Sequence, residues 1–297
     1  MQEIRVYQIW PVCPSISISG LKCYLNCSHC MGKYLRYMHG VHTKTELRNL
    51  CERLIKKGAR GFLISGGCDK NGKMLNLEEM LGEIQKMHEK GIVIKLHTGF
   101  VDERTASLLT HSIDVASMEF PASFAAIKEI FNLNATPETY IETFRNLRNA
   151  NVYIAPHICI GLYHGKLTDE FKALDMLGTI FQPETLVFIA YIPTSGTPSE
   201  NDPLPSPADV KKVIEYARKK FPDTHIVLGA LRPRFAKIRG LTREYVSELE
   251  MRAIEGGISG IEVPTRKTLE YLQANFDVIK VNSFGVLPKS LEHRFIF

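Results

Sequence analysis

Residues 45–67, TELRNLCERLIKKGARGFLISGG, decide the fold. Leu47, Leu50, Cys51, Leu54 and Ile55 recur at the spacing that places them on one side of a helix over 45–57, and Gly58 stands at its C-terminal capping position. The apolar run 61–65 follows at once, too short for a helix and closed by Gly66-Gly67-Cys68, so it reads as a buried strand. A helix that ends on glycine and feeds a short apolar strand is one α–β unit, and the fold depends on how often the unit recurs.

It recurs along most of the chain. Further β-rich runs lie at 15–19, 92–96, 115–120, 152–160, 185–192, 226–231, 260–263 and 278–282, giving eight or nine strands. Between them the segment 77–90 repeats the amphipathic plan and ends at Gly91, Pro137 precedes a helix over 138–150, and Pro207 opens one that runs to Lys220. Strict β–α alternation means parallel strands with right-handed crossovers, and eight over this length close into a (β/α)8 TIM-type barrel. No change of composition marks a domain boundary, so the expectation is a single α/β domain, 1–297, with the barrel over about 15–285 and short terminal extensions. A doubly wound open sheet is the alternative. Either way the active site belongs at the C-terminal strand ends, and the unusual loops do follow strands: 20–40, Gly66-Gly67-Cys68, His97-Thr98-Gly99, 161–165 and 193–198.

The balance of 37 Lys and Arg against 32 Asp and Glu is too even to imply a nucleic-acid partner. Lys211-Lys212, Arg218-Lys219-Lys220 and the stretch from Arg232 to Arg239 read first as solvated helix faces. There is no apolar stretch long enough to span a membrane, and Met1-Gln2-Glu3-Ile4-Arg5 lacks a signal-peptide core, so a cytoplasmic location is expected.

The strongest chemical signal is the loop after the first run, Cys23-Tyr24-Leu25-Asn26-Cys27-Ser28-His29-Cys30, a Cys-x3-Cys-x2-Cys spacing. Three thiolates from one loop can hold three corners of a [4Fe–4S] cube and leave the fourth iron open to an outside ligand. S-adenosylmethionine could chelate that iron through its amino and carboxylate groups, so that an electron from the cluster breaks a C–S bond and releases a 5′-deoxyadenosyl radical. The alternative is structural zinc, which normally takes four closed ligands, often as two separated pairs, an arrangement missing here. His29, between two close ligands, reads as a residue lying against the cofactor.

This loop resembles the signature of the radical S-adenosylmethionine (SAM) family, with His29 where most members carry an aromatic residue. The resemblance implies a full or partial barrel and cofactor contacts from several strand ends. Gly66 and Gly67 match the glycine motif that holds the methionine amino group, with Cys68 where an acidic residue is usual. Ser117 and Glu119 resemble the polar contacts of the fourth strand, Gly161 the glycine near the adenine, and Ile192-Pro193 the segment beside it. The segments 65–69, 156–161, 192–198 and 228–233 are similar to the biotin-synthase-like branch, including archaeal homologues among which are two-component lipoyl synthases. That likeness implies sulfur insertion into a protein-bound octanoyl group. The implied partners are a lipoyl carrier domain or a peptide from it, a second radical SAM subunit, and an electron donor such as ferredoxin.

Cys51, in the stripe of its helix, reads as a core residue. Cys13, Cys68 and Cys159 are the candidates for an auxiliary [4Fe–4S] cluster that would give up the sulfur; three unrelated buried thiols is the plainer reading. His97, His157 and His164 read as hydrogen-bonded core or rim residues more readily than as ligands. Arg232 could pair with a carboxylate or sit beside a cluster, against an ordinary surface ion pair. Two other functions stay open: a radical SAM enzyme that rearranges a small metabolite or builds a metal cofactor, which would need polar groups in the lumen and no sulfur donor, and a non-catalytic cluster- or zinc-binding protein.

Overall fold

In the computed structural model, residues 1–234 and 238–296 are described. Lys237, within the basic stretch noted above, lies outside them. The strands are β1 (Glu3–Tyr7), β2 (Ser15–Ser17), β3 (His39–Gly40), β4 (Gly61–Ser65), β5 (Val93–His97), β6 (Val115–Glu119), β7 (Ile154–Ile160), β8 (Thr185–Ala190), β9 (His225–Leu228), β10 (Gly260–Glu262) and β11 (Asp277–Val281). The helices are α1 (Lys44–Lys56), α2 (Leu77–Glu89), α3 (Glu103–Leu109), α4 (Pro137–Asn149), α5 (Glu170–Ile180), α6 (Pro207–Lys220), α7 (Arg243–Glu255), α8 (Arg266–Asn275) and α9 (Lys289–Glu292).

Every paired strand is parallel, and the order is β11-β1-β10-β9-β8-β7-β6-β5-β4-β2-β3. The α/β class and the β–α repeat are therefore as expected, but the closed eight-stranded ring is not what the ladder shows. Among the described residues the hydrogen bonding ends at β11 on one side and β3 on the other, and the molecule is a partial barrel. The chain closes the seam with side chains: Cys13 Sγ lies 3.7 Å from Ser283 Oγ, and Phe284 is fully buried beside it.

β1 was not anticipated. Ile4 and Val6 are buried on one face, while on the other Arg5 is half-buried and Tyr7 is buried, so both faces of its C-terminal half are covered. It enters between β10 and β11, where Arg5 Nε donates to Glu292 Oε2 at 2.7 Å and Tyr7 hydroxyl donates to Glu292 Oε1 at 2.7 Å, tying the first strand to α9.

The sheet wraps round one interior space. Odd-numbered residues face it on neighbouring strands, as the two-residue period requires: Leu63 and Ser65 on β4, Lys95 and His97 on β5, Ser117 and Glu119 on β6, His157 on β7, Val187 and Ile189 on β8. The register ties these rows together, with Leu63 opposite Lys95, His97 opposite Ser117, and Glu119 opposite His157. The amphipathic helices cover the outside, Leu47, Leu50, Cys51 and Leu54 of α1 being buried as their stripe requires.

Candidate active site

The cysteine loop follows β2 at the C-terminal end of the sheet. Asn26 and Met31 both take left-handed backbone, φ 49° and 46°, on either side of the segment that carries Cys27 and Cys30. The Cys30 and Met31 amides donate to the Cys27 carbonyl at 3.1 and 2.9 Å. Cys27 is buried, with Sγ 3.6 Å from the Phe131 carbonyl, while Cys23 and Cys30 are half-exposed on the inner side. Left-handed backbone at non-glycine residues costs free energy and is kept where a loop must aim its groups.

The glycine motif presses on this loop. A Cβ on Gly67 would lie 2.0 Å from the Lys22 carbonyl oxygen and 2.5 Å from Cys23 Cβ. Both sides are held: the Gly67 amide donates to Ser19 Oγ at 2.8 Å and the Tyr24 amide to the Cys68 carbonyl at 2.8 Å. Glycine at 67 is thus demanded by close approach of two backbones.

Below the loop lies a cavity of about 600 Å³ whose wall includes Cys23, Cys30, Gly66, Gly67, Cys68, Ser117 and Glu119 at the mouth, and Cys13, Lys95, His157 and Glu262 further in. Most of the wall between is apolar, including Leu25, Leu63, Phe100, Phe131, Val187 and Ile189. His29 is packed among Tyr34, Phe131 and Tyr191, with ring centroids 6.1, 5.6 and 6.4 Å away. Burial works to lower its pKa, but the neighbouring Cys30 and Glu119 outweigh that and raise it. Burial raises Glu119 to about 7, with His29 pulling the other way. The two thiols act on each other: Cys27 lowers the pKa of Cys30, while Cys30 and burial raise that of Cys27.

Among the described residues four buried side-chain atoms have no hydrogen-bond partner: His29 Nδ1, His97 Nε2, Ser117 Oγ and Glu119 Oε1. Ser117, Glu119 and His97 line the cavity, so the mouth is built to be completed by a polar ligand. Among the described residues no three His, Cys, Asp or Glu side chains converge on a single ion. A structural zinc ion takes four closed ligands, whereas three thiolates suffice for a cube that leaves one iron open. The donor set and the orphaned polar atoms fit a cluster with a polar cofactor beside it.

The other residues singled out from sequence are scattered. Gly161 makes a left-handed turn, φ 75°, its amide donating to Glu170 Oε1 at 2.8 Å and its Cα face against Pro205; it is not part of the cavity wall. Ile192 and Pro193 follow β8 in a segment clamped to the cysteine loop, where Tyr34 hydroxyl and Thr194 Oγ1 are 2.9 Å apart and Lys33 Nζ donates to the Ser195 carbonyl at 2.6 Å.

The auxiliary-cluster trio is not brought together. Cys13 Sγ sits against Gly61 at the start of β4, Cys68 lies beyond its end, and the five-residue strand between spans roughly 16 Å at about 3.3 Å per residue. Cys159, at the end of β7, stands beside Glu119. Burial pushes Cys13 and Cys68 up to about 12, so both are neutral thiols.

Arg232 pairs with a carboxylate, as one reading had it, but deep in the protein: Nη2 lies 2.6 Å from Glu250 Oε1, and both side chains are wholly buried. It also donates to the carbonyls of Gly229, Glu262 and Val263, which makes it a brace between β9 and β10. His164 Nδ1 is 2.9 Å from Asp202, a rim residue with a partner. The basic residues of α6 are largely occupied by Asp209, Asp175, Glu215 and Glu255, in keeping with solvated helix faces. No helix among the described residues is long and apolar enough to cross a membrane. Lys95 was missed: a charged residue inside the apolar run 92–96 was the signal available.

A partial barrel of parallel strands whose first long loop presents three cysteines over a cavity defines the class. Residues 17–175 match the model of the Radical SAM superfamily, and the chain belongs to that superfamily. Membership implies a [4Fe–4S] cluster and S-adenosylmethionine. Within it, the chain is 25% identical over 237 residues to a biotin synthase of Coxiella burnetii, covering 74% of this chain and 69% of that protein. It is 22% identical over 292 residues to the mitochondrial biotin synthase of Arabidopsis thaliana, covering 93% and 72%. Among solved structures the fold is like that of HydG, a maturase of the [FeFe]-hydrogenase, with a TM-score of 0.62 at 16% identity over 92% of this chain; the chain spans 62% of HydG, less than two thirds of its length. It is also like methylornithine synthase (PylB), TM-score 0.59 at 16% identity, over 89% of this chain and 73% of that one.

Proposed function

We propose that this radical SAM enzyme inserts sulfur into an aliphatic chain, and that the chain is a protein-bound octanoyl group, the protein acting as one component of a lipoyl synthase. The observation that carries the reading is the single cavity that joins Cys23 and Cys30 at its mouth to a largely apolar interior. With cluster and S-adenosylmethionine bound there, the site supplies one-electron chemistry able to remove a hydrogen atom from an unactivated C–H bond.

The protein's own residues do the rest. Cys23, Cys27 and Cys30 would hold the cluster. Ser117 and Glu119 offer unpartnered oxygens to the cofactor, and the Gly66-Gly67 backbone lies beside it. Leu63, Val187 and Ile189 keep water from the substrate, which suits a reactive intermediate. A carrier domain would dock at the mouth, a second radical SAM subunit would share the two insertions, and a ferredoxin-type donor would reduce the cluster. A sulfur-donating auxiliary cluster would need ligands beyond Cys13, Cys68 and Cys159, which the fold holds apart.

The test is mass spectrometry of an octanoyl-lysyl peptide after turnover with dithionite-reduced, cluster-loaded protein. Gain of sulfur supports the proposal; an unchanged peptide with abundant 5′-deoxyadenosine refutes it. A second reading, rearrangement or cleavage of a small metabolite, is favoured by Lys95, His97, His157 and Glu262 on the cavity wall, polar groups that a purely aliphatic chain would leave unused. Absence of 5′-deoxyadenosine from fully loaded protein would favour the non-catalytic class instead.

A further inference from the structure

Lys95 is out of place on a bland reading of β5. It is 5% exposed in the middle of the strand, flanked across the ladder by Leu63 and Val115, and it points into the cavity. Among the described residues Nζ makes no hydrogen bond or ion pair; it lies 5.8 Å from the centroid of the Phe284 ring, at the outer limit of a cation–π contact. Glu262 is the one carboxylate whose charge it feels. Both Glu262 oxygens are already engaged, Oε1 by the Gly285 amide at 2.8 Å and Oε2 by the Ala230 amide at 2.7 Å.

Two residues along the same face of β5, His97 turns Nε2 inward without a partner, and its ring stands edge-on to His157 at 5.6 Å. Burial, with Lys95 adding to it, holds His97 down to about 3, so it is neutral and able to donate or accept. An unpaired cation and an unpartnered ring nitrogen on one wall of a roomy cavity are costly for the fold unless something completes them.

We propose that Lys95 and His97 form an anchor for the anionic end of the substrate, a carboxylate held deep in the cavity, with the aliphatic part running from it toward Cys23 and Cys30. The substrate is then a carboxylate-terminated aliphatic molecule whose polar end goes in first; an octanoyl group amide-linked to a carrier has no such end, so the anchor favours the small-metabolite reading over the octanoyl one. This rests on the reading that the cavity is the substrate chamber, which both enzymatic functions above share.

Equilibrium dialysis tests it with two probes, octanoate and octan-1-ol, on cluster-loaded protein with S-adenosylmethionine. Octanoate should bind more tightly than the alcohol, and Lys95→Met should weaken octanoate about 10- to 100-fold, the range for a charge-assisted hydrogen bond, while leaving octan-1-ol unchanged. The alcohol reports whether the variant is still folded, and Lys95→Gln, which keeps a polar tip without charge, should lose octanoate in the same way. Octanoate binding no tighter than the alcohol, or unmoved in both variants, overturns the anchor but leaves the chamber standing. Failure of both probes to bind the unaltered protein overturns the chamber reading, and the anchor with it.

Discussion

Gly67→Ala should disable the site while Gly66→Ala, one residue away, should not. An added Cβ at 67 meets the Lys22 carbonyl oxygen at 2.0 Å and Cys23 Cα at 2.6 Å, whereas at 66 its nearest neighbour is Ser19 Oγ at 3.4 Å, ordinary contact. To relieve the clash the cysteine loop must retreat by about 1.4 Å, and it cannot do so by rotating a side chain because the obstructing atoms are backbone. Overpacking of this kind costs roughly 1–3 kcal/mol. The larger effect is positional, since a displacement of about 1 Å at a reacting centre can cost on the order of 100-fold in rate. The assay is iron content after anaerobic reconstitution, followed by the rate of 5′-deoxyadenosine formation under dithionite. Gly67→Ala should lose iron, or keep it and form 5′-deoxyadenosine at least tenfold more slowly; Gly66→Ala should retain its iron. Unaltered iron and an unaltered rate in Gly67→Ala would refute the claim that this glycine sets the position of Cys23.

Arg232→Met leaves the Glu250 carboxylate buried without its counter-charge, which should cost about 3–5 kcal/mol, equivalent to a fall in Tm of roughly 5–8 °C; a loss under about 1 kcal/mol in urea unfolding would contradict the bracing role. Glu83 takes a bidentate bond from Arg48 at 2.9 and 2.8 Å and one from Lys86 at 2.8 Å, and these, Arg48 first, pull its pKa down to about 2. A depressed carboxylate stabilises the fold above its unfolded pKa of about 4.3 and ceases to as pH falls toward the folded value. Urea melts of metal-free protein from pH 5 downward should therefore show a flatter pH slope for Glu83→Gln than for the unaltered chain, and parallel slopes would count against the ion-pair assignment. Cys13→Ser should leave iron content unchanged because Cys13 lies at the far end of β4 from the cysteine loop; loss of iron would show that Cys13 is a ligand.

The β–α repeat and the cysteine loop were legible because both are local. Strand length, helix stripe and thiol spacing are written within ten or fifteen residues, and the 15–17, 61–65, 115–119 and 185–190 segments appear where the apolar runs lie. Closure was not legible, because it depends on where β1 and β11 pair, and Glu3–Tyr7 finds its partners more than 250 residues away. The same limit explains the cysteines. Cys13 precedes its strand while Cys68 and Cys159 lie after or near the ends of theirs, and the parallel register turns that difference in order into opposite ends of the sheet. Arg232 showed its charge but not its burial, since Glu250 comes to it from α7. Lys95 was visible as a letter in the run IVIKL, yet only the curvature of the sheet turns it into a cavity.

Metal analysis of anaerobically purified and reconstituted protein, with the Cys27→Ala variant beside it, bears most directly on the account. Three thiolates holding a cube predict about four iron and four sulfide per chain, with no zinc, and loss of that iron in the variant. A single zinc per chain, bound in the unaltered protein and released on removing Cys27, would contradict it.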